Sequence, residues 1–266
     1  LMLTKTTLAQ STPEAQGIAS EAIVAFIDGV EQANLALHSM ILVRHGQAVA
    51  KGWWSPFAAE LPHMLFSLSK SFTSTAVGMA VAEGLLTVKD RVVDFFPHDL
   101  PDTVDDNLAA MTVHHLLTMN TGHDVDSTGF LWQKPEGNWV KGFLARPVEH
   151  VPGTKFVYNS GATYMCSAIL QKLTGQTLLE YLTPRLFEPL GIEGATWESD
   201  PRGINVGGWG LKIKTDDIAN FGQLYLQGGR WQGEQLIAPE WVAAATSKLT
   251  RNDPNPNPDW AQGYGY

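Results

Sequence analysis

The sequence is poor in three features, and each absence excludes a class of protein. It has one cysteine, Cys166, so neither an internal disulfide nor a cysteine metal site can form. It has no uncharged apolar run of about 18 residues, so we expect no membrane-spanning helix. Its 18 lysines and arginines stand against 27 aspartates and glutamates, which gives a net charge of −9, and they form no basic cluster. We therefore expect no nucleic-acid partner and no basic surface for membrane docking.

The two ends of the chain carry little information about its location. The first ten residues, LMLTKTTLAQ, are too short and too polar for an intact signal peptide, and they do not begin with methionine. A cytoplasmic and a periplasmic location both stay open. The last six residues, AQGYGY, are typical of the beginning of a strand. A lone hairpin is only marginally stable, so we expect further strands beside the one predicted below.

The composition, 44% hydrophobic and 17% charged, is that of an ordinary globular protein. Periodicity and turn signals predict an amphipathic helix over 21–33, a hairpin at His45–Gln47 and a helix from Ser67 to Gly84. Residues 85–150 alternate short helical pieces with loops rich in Asp, Gly and Pro, which indicates a mainly helical insertion. Later helices are predicted at GATYMCSAILQKLTG, TLLEYLTPRLF and DDIANFGQLYLQ, and from Pro239 onward.

Residues 61–78, LPHMLFSLSKSFTSTAVG, place a lysine three positions after a serine at the start of an apolar helix. Residues i and i+3 lie on one helix face, with Cβ atoms about 5–6 Å apart, so Ser67 and Lys70 are predicted neighbours. A serine hydroxyl is a weak nucleophile until a base removes its proton, and burial of Lys70 favours the uncharged amine that this requires. Free N–H groups at the helix start can stabilise an oxyanion. The alternative is a capping serine beside a solvated lysine.

A second segment, KFVYNSGATYMCSAIL, places Tyr158 and Ser160 at the end of an extended piece just before a helix. A tyrosine beside a serine–lysine pair can relay protons, since a nearby cation stabilises the ionised phenol. Taken alone, the same pattern also fits a tyrosine whose hydroxyl is hydrogen-bonded at a helix entrance.

Together these segments resemble the serine β-lactamase and penicillin-binding-protein superfamily, in particular its class C-like branch, which includes carboxylesterases and nylon-oligomer hydrolases. FSLSKSFTS matches the motif S-x-x-K, and YNS matches the second motif, Y-x-N. The resemblance implies that Ser67 is the nucleophile, Lys70 its base partner and Tyr158 the proton relay. It implies no cofactor and no metal. It is supported by TVHHLLTMNTG, PGTKFVYNSGATY and GGWGLKIKTDDIANFGQLYLQGG.

The sequence departs from the family pattern in two places. Ser160 stands at the third position of Y-x-N, where the asparagine of β-lactamases contacts the amide side chain of the drug. A serine at this substrate-binding position favours an esterase or amidase over antibiotic hydrolysis. The third family motif, a strand of the K/H-T/S-G type, is absent, and the family chain continues past Tyr266. We therefore expect the C-terminal strands of the family fold to be missing.

The resemblance implies an α/β (α+β) fold of the β-lactamase/transpeptidase type, with an antiparallel sheet flanked by helices and an inserted, mainly helical domain. Residues 1–84 are expected to begin the α/β domain, residues 85–200 to form the helical domain, and residues 201–266 to return to the α/β domain. The implied reaction is acyl transfer through an acyl-enzyme, on a small ester or linear amide. A β-lactamase or DD-peptidase and a non-catalytic ligand-binding protein remain alternatives, and the oligomeric state stays open.

Other candidate sites are weaker. The adjacent histidines His114 and His115 face different directions on a helix, so we interpret them as surface or capping residues rather than metal ligands. No G-x-S-x-G elbow, P-loop or G-x-G-x-x-G is present, which disfavours an α/β-hydrolase and a nucleotide-binding protein. Trp132 and Trp139 fit either an apolar acyl pocket or ordinary packing between the domains.

Overall fold

The computed structural model describes residues 8–131, 137–252 and 257–266. Its strands are short and are numbered here in chain order: β1 Ala9–Gln10, β2 Ser39–Arg44, β3 Gln47–Trp53, β4 His63–Met64, β5 Thr196–Trp197, β6 Leu211–Ile213, β7 Arg230–Trp231 and β8 Glu234–Gln235. The helices of the first half are α1 Ser20–Gln32, α2 Ser69–Ala82, α3 Val92–Phe95, α4 Asp106–Ala110, α5 Val113–Leu117, α6 Thr128–Leu131 and α7 Trp139–Leu144. Those of the second half are α8 Ser160–Thr174, α9 Leu178–Leu182, α10 Glu188–Leu190, α11 Thr215–Leu226 and α12 Pro239–Ala245.

The predicted hairpin is confirmed, and it lies in a three-stranded sheet of order β1-β3-β2. Strands β2 and β3 pair antiparallel and are joined by His45 and Gly46, both with positive φ, as two-residue hairpin turns require. The expected additional strand is supplied by β1, which pairs parallel with β3.

A second sheet of order β4-β6-β5 leads directly into the S-x-x-K segment. In this sheet Met64 pairs with Lys212, and the backbone N–H of Leu65 donates to the carbonyl of Leu211 at 2.9 Å. The chain enters the turn before α2 from a hydrogen-bonded strand, so the position of Ser67 is set by the sheet as well as by the helix.

Helix α2 is the centre of the hydrophobic core, and its boundaries lie close to those predicted. Phe72 stacks on Phe221 of α11 with ring centroids 3.9 Å apart. A Cβ atom built on Gly78 would lie 2.5 Å from the indole of Trp241, so only glycine allows α12 to approach α2 this closely. The core is one apolar cluster that runs from Leu65 to Val242, and the three-part division of the chain stays a prediction.

The amphipathic helix predicted at 21–33 is confirmed as α1, but most of its apolar residues are not buried. Of its apolar residues only Val30 is buried, and Phe26 is 52% exposed. Ser20 begins the helix, but its hydroxyl bonds to Glu14 instead of to a helix N–H. A periodic pattern predicts which residues share a face, whereas the packing of other elements decides whether that face is covered.

The remaining elements follow the expected pattern. Short helices α3 to α7 alternate with loops, and α8 ends at Gly175, whose φ is 72°. Cys166 is buried in α8, and burial raises the pKa of its thiol to about 12. Among the described residues, no helix has the length and apolar character needed to cross a membrane.

Candidate active site

The segment before α2 makes a sharp turn that leaves Ser67 exposed and Lys70 buried. Phe66 adopts a left-handed backbone (φ 45°), which is uncommon for a bulky side chain and is typical of constrained functional turns. A 3-10 turn over Phe66–Leu68 then leads into α2. Phe66 is exposed and therefore does not cover Lys70. Lys70 is nevertheless only 6% exposed.

The amine of Lys70 contacts three oxygen atoms from separate parts of the chain. Its Nζ lies 3.1 Å from Ser67 Oγ, 3.0 Å from Ser160 Oγ and 2.8 Å from the carbonyl oxygen of Gly208. A carbonyl can only accept, so one N–H of Lys70 points to Gly208, while both hydroxyls can donate or accept. The same geometry therefore suits an ammonium with three donors and an amine that accepts a proton from Ser67.

Tyr158 lies against Lys70 through its ring. Nζ of Lys70 lies 4.7 Å from the ring centroid, which is a cation–π contact. The tyrosine is 37% exposed, and in the described part of the chain its hydroxyl makes no hydrogen bond to Ser67 or Lys70. The structure thus brings the predicted residues Ser67, Lys70, Tyr158 and Ser160 into one cluster.

The second motif is held in place by Asn159, which sequence reasoning passed over. Asn159 is buried at the start of α8, and its Oδ1 accepts from the backbone N–H of Ala162 at 3.3 Å. The same oxygen accepts from the hydroxyl of Ser127 at 2.8 Å. An asparagine just before a predicted helix is a standard N-cap signal and identifies this residue in retrospect. Its side chain fixes the backbone between Tyr158 and Ser160.

The segment GGWG supplies a second group that sequence reasoning missed, the carbonyl of Gly208. Two side chains of α2 hold this segment, since Thr73 Oγ1 donates to Gly207 O at 2.9 Å and Ser69 Oγ accepts from Leu211 N at 3.2 Å. A Cβ on Gly208 would lie 3.0 Å from the carbonyl oxygen of Ser160. The glycine pair was the available signal, because consecutive glycines mark close backbone approach.

The histidines form no part of this cluster. His114 Nδ1 lies 2.8 Å from the hydroxyl of Tyr266, and His115 Nδ1 accepts from the backbone N–H of Thr112 at 3.0 Å. Burial lowers the pKa of both imidazoles. Within the described ranges, no group of three or more His, Cys, Asp or Glu residues is placed to hold a metal.

The structure describes only one of the two tryptophans, Trp132 and Trp139, that could line an acyl pocket. Trp132 lies outside the described residues. Trp139 is buried and packs on Tyr164 and Trp209, with ring centroids 5.4 Å and 6.2 Å apart. Ordinary packing therefore accounts for Trp139.

The sequence pattern of the family described as Beta-lactamase matches residues 26–266, which is most of the chain. The protein belongs to the Beta-lactamase family. This family member is 23% identical over 257 residues to the 6-aminohexanoate-dimer hydrolase of Paenarthrobacter ureafaciens, covering 91% of this chain and 65% of the relative. It is 26% identical over 176 residues to the esterase EstB of Burkholderia gladioli, covering 60% of this chain and 45% of the relative.

A solved structure shows the same fold. The putative 6-aminohexanoate-dimer hydrolase from Bacillus anthracis superposes with a TM-score of 0.74 at 20% identity, covering 90% of this chain and 66% of that one. This likeness confirms the α/β fold expected from the sequence. The chain thus spans about two thirds of the length of the two 6-aminohexanoate-dimer hydrolases that it matches.

Proposed function

We propose that the protein is a serine hydrolase that cleaves small esters or linear amides through an acyl-enzyme on Ser67. The observation that carries this proposal is the 3.1 Å contact between the exposed hydroxyl of Ser67 and the buried amine of Lys70. An activated nucleophile requires a base within hydrogen-bond reach, and the base has to be oriented by further contacts. Ser160 and Gly208 supply that orientation.

The reaction begins when the uncharged amine of Lys70 takes the proton of Ser67 as Oγ attacks the substrate carbonyl. The new C–O bond gives a tetrahedral intermediate, which collapses when the bond to the leaving alcohol or amine breaks. The leaving group takes the proton from the ammonium of Lys70, through the hydroxyl of Tyr158. Water then attacks the acyl-enzyme, gives one proton to the same base, and releases the acid as Ser67 Oγ regains a proton.

The substrate class is supported by the relatives and by one departure from the family pattern. One relative is named as a 6-aminohexanoate-dimer hydrolase and another as an esterase. The hydroxyl of Ser160 is within hydrogen-bond distance of Lys70, so part of its bonding capacity is used inside the cluster. We infer that linear esters and amides are preferred over β-lactams, and that Ser160 also borders the bound substrate.

The test is covalent labelling followed by turnover. A fluorophosphonate probe is expected to label Ser67, and Ser67→Ala is expected to abolish labelling. Ser71→Ala is the matched control, because Ser71 lies one turn further along the same segment and, in the described part of the chain, its hydroxyl is not a hydrogen-bond partner of the Lys70 amine. Labelling that persists in Ser67→Ala would overturn the assignment.

Turnover distinguishes the substrate classes. Hydrolysis of short-chain p-nitrophenyl esters with little turnover of nitrocefin is expected. Rapid nitrocefin turnover without esterase activity would favour a β-lactamase or DD-peptidase. A protein that is labelled by no probe and turns over no ester, amide or β-lactam would instead be a non-catalytic ligand-binding member of the family.

A further inference from the structure

The segment GYGY at residues 263–266 packs one side against the end of α12 and the other against the second motif. A Cβ on Gly263 would lie 2.4 Å from the side chain of Lys248, and one on Gly265 would lie 2.1 Å from the carbonyl oxygen of Ala245. Both glycines therefore face residues 245–248 closely, and a side chain at Gly265 would clash with the backbone of Ala245. Tyr264, between the two glycines, carries its ring to the second motif, whereas the ring of Tyr266 stays on the side of α12 and meets Trp241.

The two tyrosines contact different parts of the protein. The ring of Tyr264 lies 6.2 Å from that of Tyr158 at 80°, an edge-to-face arrangement, and 5.5 Å from Phe156. The ring of Tyr266 instead packs 4.9 Å from Trp241, and its hydroxyl bonds to His114. Of these two similar side chains, only Tyr264 contacts a member of the candidate active site.

The backbone of Tyr264 is held by one neighbouring segment, through both its N–H and its carbonyl. Its N–H donates to the carbonyl of Thr250 at 3.1 Å, and its carbonyl accepts from the N–H groups of Leu249 and Thr250 at 2.9 and 3.1 Å. Tyr158, in contrast, is partly exposed and follows an extended segment without regular structure. The hydrogen-bonded backbone of Tyr264 thus carries a ring that lies against the partly exposed ring of Tyr158.

We propose that Tyr264 is a positioning residue that keeps the ring of Tyr158 against the amine of Lys70. The inference rests on the proposed function, since a proton relay acts only when its ring stays beside the base. An edge-to-face ring pair changes a rotamer population by roughly 2- to 12-fold. Burial, together with the neighbouring Tyr158, raises the pKa of Tyr264. Tyr264 thus remains un-ionised while Tyr158 exchanges protons.

The kinetic test compares Tyr264→Leu with Tyr266→Leu, a control from the same segment that does not touch Tyr158. Turnover of a p-nitrophenyl ester is divided by the number of sites labelled with fluorophosphonate, so that loss of folded protein does not count as loss of activity. We expect Tyr264→Leu to lower kcat about 2- to 12-fold with KM within two-fold. Tyr264→Phe keeps the ring and is expected to restore kcat. Equal losses in Tyr264→Leu and Tyr266→Leu would overturn the proposal.

A second readout does not depend on activity. In protein labelled with ζ-¹³C tyrosine, the signal of Tyr158 is assigned by its disappearance in Tyr158→Phe. It is expected to shift or broaden in Tyr264→Leu and to stay in place in Tyr266→Leu. An unchanged Tyr158 signal in Tyr264→Leu would overturn the proposal. If the unaltered protein turns over no substrate, the proposed function fails, while this spectrum still decides the role of Tyr264. Tyr264→Met, whose flexible side chain refills the volume, replaces the leucine variant if that variant does not fold.

Discussion

The side-chain nitrogen of Lys70 lies 2.8 Å from the carbonyl oxygen of Gly208, 138 residues further along the chain. This contact ties the helix that carries the proposed base to the loop between β5 and β6. The carbonyl oxygen of Gly208 can only accept, so one N–H of Lys70 points to it. The remaining bonding positions of the amine are left for the hydroxyls of Ser67 and Ser160.

Replacing Lys70 by arginine is expected to remove the base while keeping a positive charge. A guanidinium stays protonated in proteins, so it cannot take the proton of Ser67. Loss of general-base catalysis costs about 10²- to 10⁴-fold, and we expect kcat/KM for a p-nitrophenyl ester to fall by at least about 100-fold. Lys172→Arg, on the exposed side of α8, is the control and is expected to stay within two-fold of the unaltered protein. Fluorophosphonate labelling of Lys70→Arg at the original rate would contradict the role of Lys70 as base.

Replacing Gly208 by alanine is expected to lower activity by displacing Ser160. The added Cβ would lie 3.0 Å from the carbonyl oxygen and 3.1 Å from the Cβ of Ser160, and both atoms are held by α8. A misplacement on the order of 1 Å costs about 100-fold in rate, and a smaller shift here is expected to lower kcat about tenfold.

The control for this variant is Gly222→Ala. A Cβ on Gly222 meets nothing within 4 Å, and the residue lies inside α11, so alanine is expected to stabilise the protein by about 0.5–1 kcal/mol at unchanged kcat. If Gly208→Ala and Gly222→Ala have the same kcat, the close approach of Gly208 to Ser160 makes no contribution to catalysis.

His123 is expected to make the folded state sensitive to acid. The side chain is 1% exposed, with Nδ1 2.8 Å from Thr121 Oγ1 and its ring edge-on to Phe143. Burial lowers its pKa to about 4, with smaller opposing effects of Glu149, which raises it, and Arg146, which lowers it. Because the folded pKa is below the unfolded value of about 6.5, the contribution to stability is complete above pH 6.5 and is lost as the pH falls towards 4.

The measurement is urea unfolding at several pH values between 7 and 4. For the unaltered protein the free energy of unfolding is expected to fall by an amount that includes on the order of 3 kcal/mol from His123. His123→Leu is expected to show a flatter pH dependence, whereas His45→Asn, at an exposed turn, keeps the original slope. Identical slopes for His123→Leu and the unaltered protein would refute this assignment.

Removing the hydroxyl of Tyr164 is expected to destabilise the loop that leads to Gly207. Tyr164 donates to the buried carboxylate of Asp200 at 2.7 Å, and the other oxygen of Asp200 accepts from the backbone N–H groups of Arg202 and Ile204. Burial raises the pKa of Tyr164, and the nearby carboxylate raises it further, so the phenol stays a donor. In Tyr164→Phe the carboxylate loses a partner, at an expected cost of about 1.5–3 kcal/mol in unfolding free energy.

The matched variant for this prediction is Tyr225→Phe. The hydroxyl of Tyr225 lies 2.7 Å from that of Thr75, so the bond lost is between neutral groups and is expected to cost about 0.5–1.5 kcal/mol. Both values are measured by urea denaturation at neutral pH. A larger loss for Tyr225→Phe than for Tyr164→Phe would show that the Asp200 carboxylate does not depend on Tyr164.

Sequence reasoning predicted those parts of the fold that depend on neighbours along the chain. The hairpin at His45 and Gly46, the start of α12 at Pro239 and the end of α8 at Gly175 follow from local backbone preferences, and each was confirmed. The burial of α1 was not predictable in this way, because a helix face is covered or left open by elements distant in sequence.

By itself, the sequence determined that Ser67 and Lys70 are neighbours, since residues three apart on a helical turn share one face. Whether Lys70 is buried or solvated was decided by the tertiary structure. The sequence also determined the helix entrance after Tyr158, through the capping side chain of Asn159. Only the tertiary structure decided that the carbonyl of Gly208 and the ring of Tyr264 complete the cluster. Gly208 lies 138 residues from Lys70, and Tyr264 lies more than 100 residues from Tyr158. Contacts over such separations form only when the core brings the elements together.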